Sequence, residues 1–529
     1  MQFSQKWRLI SCFLGGNVVA LGAGTPYLYS FFAPQLMAKC QIPISQASNL
    51  ALALNIGSSL LGLPAGMIAD KSPRLSCFAG AVCTFTAYLI LCVCYHSEIS
   101  NVLLVELALG LIGFGSVLGY YASVKCCTVN FPNYKGVAGA FPVSLYGLSG
   151  MFFALVCNKL FGDNIETVFK FLMWCCSSMI LLGAMTLEVF ELHEYKTIDE
   201  PPIDIENGLQ PPVHIDKLTD SGMIANTDAT VGHSEEAIMS PRPRSSYTGT
   251  PKETLSVEPK IAFEEHKLET SASEKPLLRT ILQPKFITYY IIFAMLQGIG
   301  KMYIFSVGFI VDTQVNSPPL NKFNFDADGL QSLQVSLISM FSFAGRISAG
   351  LISDLLVKKF KAQRIWTILL AASIMLCASI HLLEKKTIPD DMQDMKALKG
   401  IFTIVSTASV MFGYAFGILF GSFPSIISDS FGSKGFSTIW GLMTTGGLIT
   451  VKIFISILGN EMTSKTVTGE ASCLKGVYCY TNTFHVNSLC SIISIVMTLI
   501  CIAIPYYRRN RKIGTSTMDE SFIMGAIQE

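Results

Sequence analysis

The chain has 529 residues, of which 51% are apolar and only 14% charged, and its mean hydropathy is +0.48. So much apolar surface excludes an ordinary soluble protein and points to a chain that crosses a membrane many times. A formal net charge of +1 gives no reason to expect nucleic acid as a partner, so the charges are informative through their positions.

The first apolar run is too long for the core of a cleavable signal peptide and reads as an uncleaved first span. Taking about 20 apolar residues per crossing, spans are expected at 9–32, 48–69, 75–95, 102–124, 136–160 and 168–190. Six more follow at 285–311, 328–353, 364–383, 399–427, 436–459 and 485–507. The expected fold is an all-α polytopic membrane protein with 12 transmembrane helices in two six-helix bundles, 1–190 and 285–507, and a tail at 508–529. The interval 191–284 is rich in Pro, Ser, Thr, Glu and Asp and has no run able to cross a bilayer, which predicts a disordered cytosolic linker. It offers Ser240-Pro241 and Thr250-Pro251 to kinases and a dileucine-like stretch, Glu274–Leu278, to sorting adaptors.

Twelve crossings put both termini on one side, and the bases choose it. Lys6, Arg8, Lys71, Arg74, Lys125, Lys135, Lys358, Lys359, Lys361, Arg364, Lys434 and Arg508–Lys512 fall on the termini face, which is therefore expected in the cytosol. Lys385, Lys386 and Lys396 lie on the other face, interspersed with Asp390, Asp391 and Asp394. Most of the 16 cysteines sit inside apolar runs as small packing residues. Cys473 and Cys479, in the last outward loop, read either as a local bridge or as two free thiols.

An internal repeat relates the halves. Gly66 and Asp70 close span 2 as Gly350 and Asp354 close span 8, and Gly147 and Gly446 lie equally far beyond Lys135 and Lys434. Two parallel six-span units suggest rigid bundles that rock about a shared cavity. The G-x-x-x-D-(R/K) pattern at Gly66, Asp70 and Lys71 resembles that of the major facilitator superfamily. Gly24–Phe31, Asn130–Gly136, Tyr146–Gly150 and Gly345–Gly350 resemble the nodulin-like branch and the fungal monocarboxylate-transporter homologues within it. The resemblance implies a facilitator fold and a vacuolar or other endomembrane home, with the plasma membrane as the alternative. In the second copy Leu355 follows Asp354 where a base is usual, so charge contacts are expected later, from Lys358 or Lys359.

An ion in the bilayer interior is costly and needs a partner, a wet cavity or a function. Lys301, Lys452, Arg346 and Glu106 are the candidates. Lys301 and Lys452 each stand about 24 Å above the termini face at 1.5 Å per residue. They either snorkel outward or make a cavity positive, which favours an anionic or zwitterionic solute. Arg346 reads as a solute ligand or as a gate salt bridge with Asp354 or another acid. Glu106 reads as a proton-coupling carboxylate or as a solvated residue near the interface.

The spans that line the cavity in the family fold add Asn17, Tyr27, Tyr121, Gln297, Tyr303 and Tyr414 as substrate-binding candidates. Gly22, Gly24, Gly298 and Gly300 are expected to let spans 1 and 7 bend beside a ligand. Gly66, Asp70, Lys71, Arg74, Gly350 and Asp354 are the gating candidates. No nucleophile–base pair, metal-ligand spacing or phosphate-cradling loop is visible, so neither an enzyme site, a cofactor nor ATP-driven transport is expected. The reading is a monomeric secondary or facilitative transporter of a small organic solute, monocarboxylate-like or amino-acid-like, working by alternating access with protons as the candidate coupling ion. The alternative is a non-transporting nutrient sensor or scaffold that signals through the linker.

Overall fold

The computed structural model describes residues 2–43, 46–162, 164–190, 277–315, 327–384, 395–466, 473 and 475–526. The linker positions Ser240, Thr250 and Glu274, and the loop residues Lys385, Lys386, Asp390, Asp391 and Asp394, lie outside them. Every expected crossing is a helix. The first six are α1 (Lys6–Leu28), α2 (Asn49–Lys71), α3 (Pro73–His96), α4 (Val102–Val129), α5 (Pro132–Phe161) and α6 (Ile165–Thr186). The second six are α7 (Pro284–Val315), α8 (Gly329–Lys358), α9 (Trp366–His381), α10 (Thr403–Phe431), α11 (Phe436–Lys465) and α12 (Thr481–Ile504).

Local chemistry sets several helix starts. Ser72 Oγ accepts from the Leu75 amide ahead of Pro73, Asn101 Oδ1 from the Leu104 amide, and Asn164 Oδ1 from the Thr167 amide, so α3, α4 and α6 each begin at a side-chain cap. The regular α-helix of α1 stops at Ala23, and Thr25–Leu28 tighten into a 3-10 turn with Pro26 in its first turn. The regular helix is thus interrupted beside Gly24 in α1, whereas α7 runs unbroken as one helix of 32 residues. Gly298 and Gly300 serve close packing instead: a Cβ at either would strike Thr450 of α11 or the Phe416 ring of α10. In α2 a π-turn at Ile56–Leu60 breaks the helix where Gly57 meets the backbone of Gly110 in α4.

Polarity runs opposite to that of a soluble bundle. On α12 the stripe Asn487, Ser491, Ser494 and Thr498 is fully buried, while Leu489, Ile492, Ile493, Val496 and Ile500 are exposed. Lipid solvates the aliphatic face as well as protein does, so small and polar residues take the helix contacts.

Candidate functional site

On the termini face two carboxylates cross between the halves, and each grips the start of a helix. Asp70, at the end of α2, accepts from the amides of Ser437 and Thr438 at 2.9 and 2.7 Å and from the Thr438 hydroxyl at 2.7 Å, all in the first turn of α11. Asp354, near the end of α8, accepts from the amides of Gly136 and Val137 at 3.0 and 2.9 Å, in the first turn of α5. A helix start offers unpaired N–H groups and the positive end of the dipole, so a carboxylate fits there without another side chain. Gly435 makes the approach possible in the first case, because its φ of +71° turns the chain into α11 in the left-handed region. Gly66 lies one turn above Asp70, and a Cβ there would fall on the Ser437 carbonyl. Gly136 and Gly350 meet backbone to backbone at the other contact.

Each aspartate also has a base, and for Asp354 it is not the expected one. Lys125 of α4, buried, donates to Asp70 Oδ1 at 3.0 Å, whereas Lys71 is exposed and Arg74 pairs instead with Glu188, which Arg8 shares. Asp354 pairs with Arg364 at 2.6 Å, and Arg364 also holds Asp429 of α10 at 2.7 Å. Asp429 in turn takes Lys135 of α5 at 2.9 Å, which closes a second link across the seam. Lys358, expected on Asp354, places its Nζ 3.1 Å from the ring centroid of Tyr134.

Deeper along the same seam Arg346 reaches from α8 into the other half. Its guanidinium lies on Gly147, Nη1 donates to the Val143 carbonyl at 3.1 Å, and Cζ stands 5.9 Å from the Phe420 ring centroid. The side chain is 5% exposed, Nε has no partner, and among the described residues no carboxylate meets it. The alternative of a salt bridge with Asp354 is thereby set aside, because Asp354 is committed to Arg364 and to α5. Beyond Gly147 the neighbouring Tyr146 stacks on Tyr120 at 4.0 Å, is met edge-on by Tyr27 at 5.5 Å, and shares a 2.9 Å hydrogen bond with Ser116. Tyr121 bonds across the halves to Thr444 of α11 at 3.0 Å.

On α7, Gln297 is buried against Gly447 with its Oε1 unpartnered, and in α1 the buried Asn17 spends Nδ2 on the Phe13 carbonyl and leaves Oδ1 unpartnered. Lys301, half-buried, makes no hydrogen bond or ion pair among the described residues. Helical spacing puts it on one face with Gln297 and Gly308. Gln297 touches α11 and Gly308 touches Gln331 of α8, so Lys301 lies on the side of α7 that meets these two helices.

The remaining candidates are Tyr303, Tyr414, Lys452 and Glu106. Tyr303 is fully buried, bonded to Ser409 at 2.8 Å and stacked on Phe412, inside the second half. Tyr414 accepts from Ser348 at 3.0 Å. Lys452 is exposed, so it does not point into a closed interior; by spacing it shares the α2-facing side of α11 with Gly441. Glu106 is half-buried between exposed Leu103 and Leu107. Cys473 and Cys479 form a disulfide. Besides Asp429 and Glu188, two more carboxylates escaped the sequence reading. Asp312 lines a cleft of 340 Å³ between α7 and α11, and Glu461 caps α12 through the Asn482 and Thr483 amides at 2.8 and 2.7 Å.

The family model of the Major Facilitator Superfamily matches residues 12–451. The chain belongs to this superfamily. It is 45% identical to the uncharacterized membrane protein YMR155W of Saccharomyces cerevisiae, over 94% of this chain and 95% of that one. It is also similar to the probable transporter mch1 of Emericella nidulans, at 24% identity over 82% of this chain and 75% of that one. The probable transporter MCH1 of Wickerhamomyces anomalus matches at 22% over 88% and 86%. Among solved structures, the crystal structure of the major facilitator transporter FucP in the outward conformation aligns with a TM-score of 0.52 at 11% identity, covering 93% of this chain and 99% of that one. This is a multi-pass membrane protein with the twelve-helix facilitator fold, and its family moves small solutes across a lipid bilayer.

Proposed function

We propose that the chain is a transporter of a small organic anion or zwitterion, working by alternating access, with Arg346 holding a carboxylate of the solute. The observation that carries this reading is Arg346 itself: a buried guanidinium on the seam between the halves, with one carbonyl contact and no acid. An uncompensated charge in the membrane interior is expensive, and a solute carboxylate supplies both the countercharge and the missing acceptors. Asn17 Oδ1 and Gln297 Oε1 add acceptors for polar hydrogens of the solute. The seam is closed on the termini face through Asp70 and Asp354, so release toward that side requires both helix starts to leave their carboxylates.

The termini face is assigned to the cytosol on two grounds. The basic residues concentrate there, and the Cys473–Cys479 bridge lies in the connection on the opposite face, where an oxidising lumen or exterior would preserve it. A vacuolar or other endomembrane location fits both. The test is uptake of radiolabelled carboxylates by proteoliposomes containing the purified protein. Arg346→Gln is expected to lower uptake at least about 10-fold, the worth of one charge-assisted contact, while the variant folds and elutes as the parent does. Undiminished uptake by Arg346→Gln removes the assignment.

A further inference from the structure

The cation on α7 refines the class of anion. Arg346 is not the only charge without a counterion, because Lys301 also lacks one among the described residues. α10 fixes how the two are spaced. Arg346 lies over the Phe420 ring, Gly300 packs on the Phe416 ring, and the two rings contact at 4.8 Å. Phe416 and Phe420 are one turn apart, so the backbone at Lys301 stands about 6 Å farther from the termini face than the Arg346 guanidinium.

Among the described residues the carboxylates are otherwise spoken for or distant. Asp70 holds Lys125 and α11, Asp354 and Asp429 hold Arg364, Lys135 and α5, and Glu461 holds Lys465 and α12. Asp312, on the same face of α7 as Lys301, has an interaction of its own and lies about 16 Å away along the helix. Glu106 sits about 22 Å along α4 from Tyr121, between lipid-facing leucines. Arg346 and Lys301 are two positive charges at adjacent depths that, unlike the exposed Lys452, are shielded from solvent and are not neutralised among the described residues, and they call for two negative charges on what they hold.

We propose that the solute is a small dicarboxylate dianion, one carboxylate on Arg346 and the other on Lys301, which makes Lys301 the residue that selects dianions over monoanions. The inference rests on the anion reading above, and the experiment separates the two. Counterflow into proteoliposomes, which needs no ion gradient, is measured with radiolabelled succinate and lactate for the full-length protein and for Lys301→Gln and Lys301→Arg. Succinate is expected to enter faster than lactate. Lys301→Gln should cut succinate counterflow about 10- to 100-fold and lactate counterflow much less, reversing the preference, while Lys301→Arg keeps it. Lactate moving as fast as succinate in the parent protein, or Lys301→Gln depressing both alike, overturns the dianion and leaves the anion reading standing. If neither compound is carried and neither raises the thermal midpoint of the parent protein, both fall together.

Discussion

Within the stretch Gly66–Arg74 the four candidate gating residues do different work. Asp70, its side chain only 12% exposed, sits among three donors and Lys125, whereas Arg74 and its partner Glu188 have side chains 51% and 36% exposed and belong to one half. Removing one member of a buried pair leaves the other stranded, at a cost of roughly 3 kcal/mol or more, while an exposed pair is worth about 1 kcal/mol or less. Asp70→Asn should therefore bias the protein toward opening on the termini side by on the order of 100-fold. Thiol labelling of a cysteine placed in the seam is expected to rise and flux to fall, with solute binding largely kept. Arg74→Gln should leave flux within about twofold of the parent. Equal losses from both variants would count against the distinction. The two aspartates were legible because they recur in both halves. Their bases were not, because Lys125 and Arg364 come from other helices, and a single sequence carries no signal for which base folds against which acid. Arg346 was legible as costly, but not its seat on Gly147 and Val143, and for Lys452 hydropathy gave depth without azimuth.

At the scale of helices, all twelve could be read from apolar run length, since lipid demands satisfied backbones over a fixed thickness. What length could not show was internal geometry: the 3-10 turn in α1, the π-turn in α2 and the unbroken run of α7. Glu461 was missed for a related reason. The expected span ended at residue 459, whereas α11 continues to Lys465 and brings this acid to the start of α12. It also takes Lys465 at 2.5 Å, and that lysine reaches the Tyr478 carbonyl at 2.6 Å, so the α11–α12 connection is tied at both ends of a short circuit. Glu461→Gln is expected to cost about 1–3 kcal/mol of stability. It should be read as a lower thermal midpoint in detergent, with counterflow at ambient temperature close to that of the parent. Loss of counterflow at an unchanged midpoint would instead make Glu461 part of the transport path.

For the whole molecule, the two seam contacts are related by the repeat: α2 grips α11, and α8 grips α5. Closing one face of the cavity therefore takes both grips, and opening it means losing both. A cysteine pair made by Lys135→Cys and Asp429→Cys, whose native side chains meet at 2.9 Å, should arrest flux when bridged by a short thiol cross-linker and recover it on reduction. Flux that continues in the cross-linked protein would exclude a mechanism in which this face must separate.

Asp70 and Asp354 read main-chain amides, and the residues that supply them differ completely: Ser437 and Thr438 on one side, Gly136 and Val137 on the other. The receiving end asks for few side chains: proline has no N–H to give, Thr438 adds its hydroxyl to Asp70, and position 136 needs glycine, because a Cβ there would strike Gly350 and Asp354. Outside Gly136, Gly435 and Thr438 the helix starts are free to drift in sequence for folding or solute reasons, while each fastening depends on a single carboxylate. A half of the protein could therefore be recombined with a distant relative's and still close, so long as the aspartate met a helix beginning at the same height.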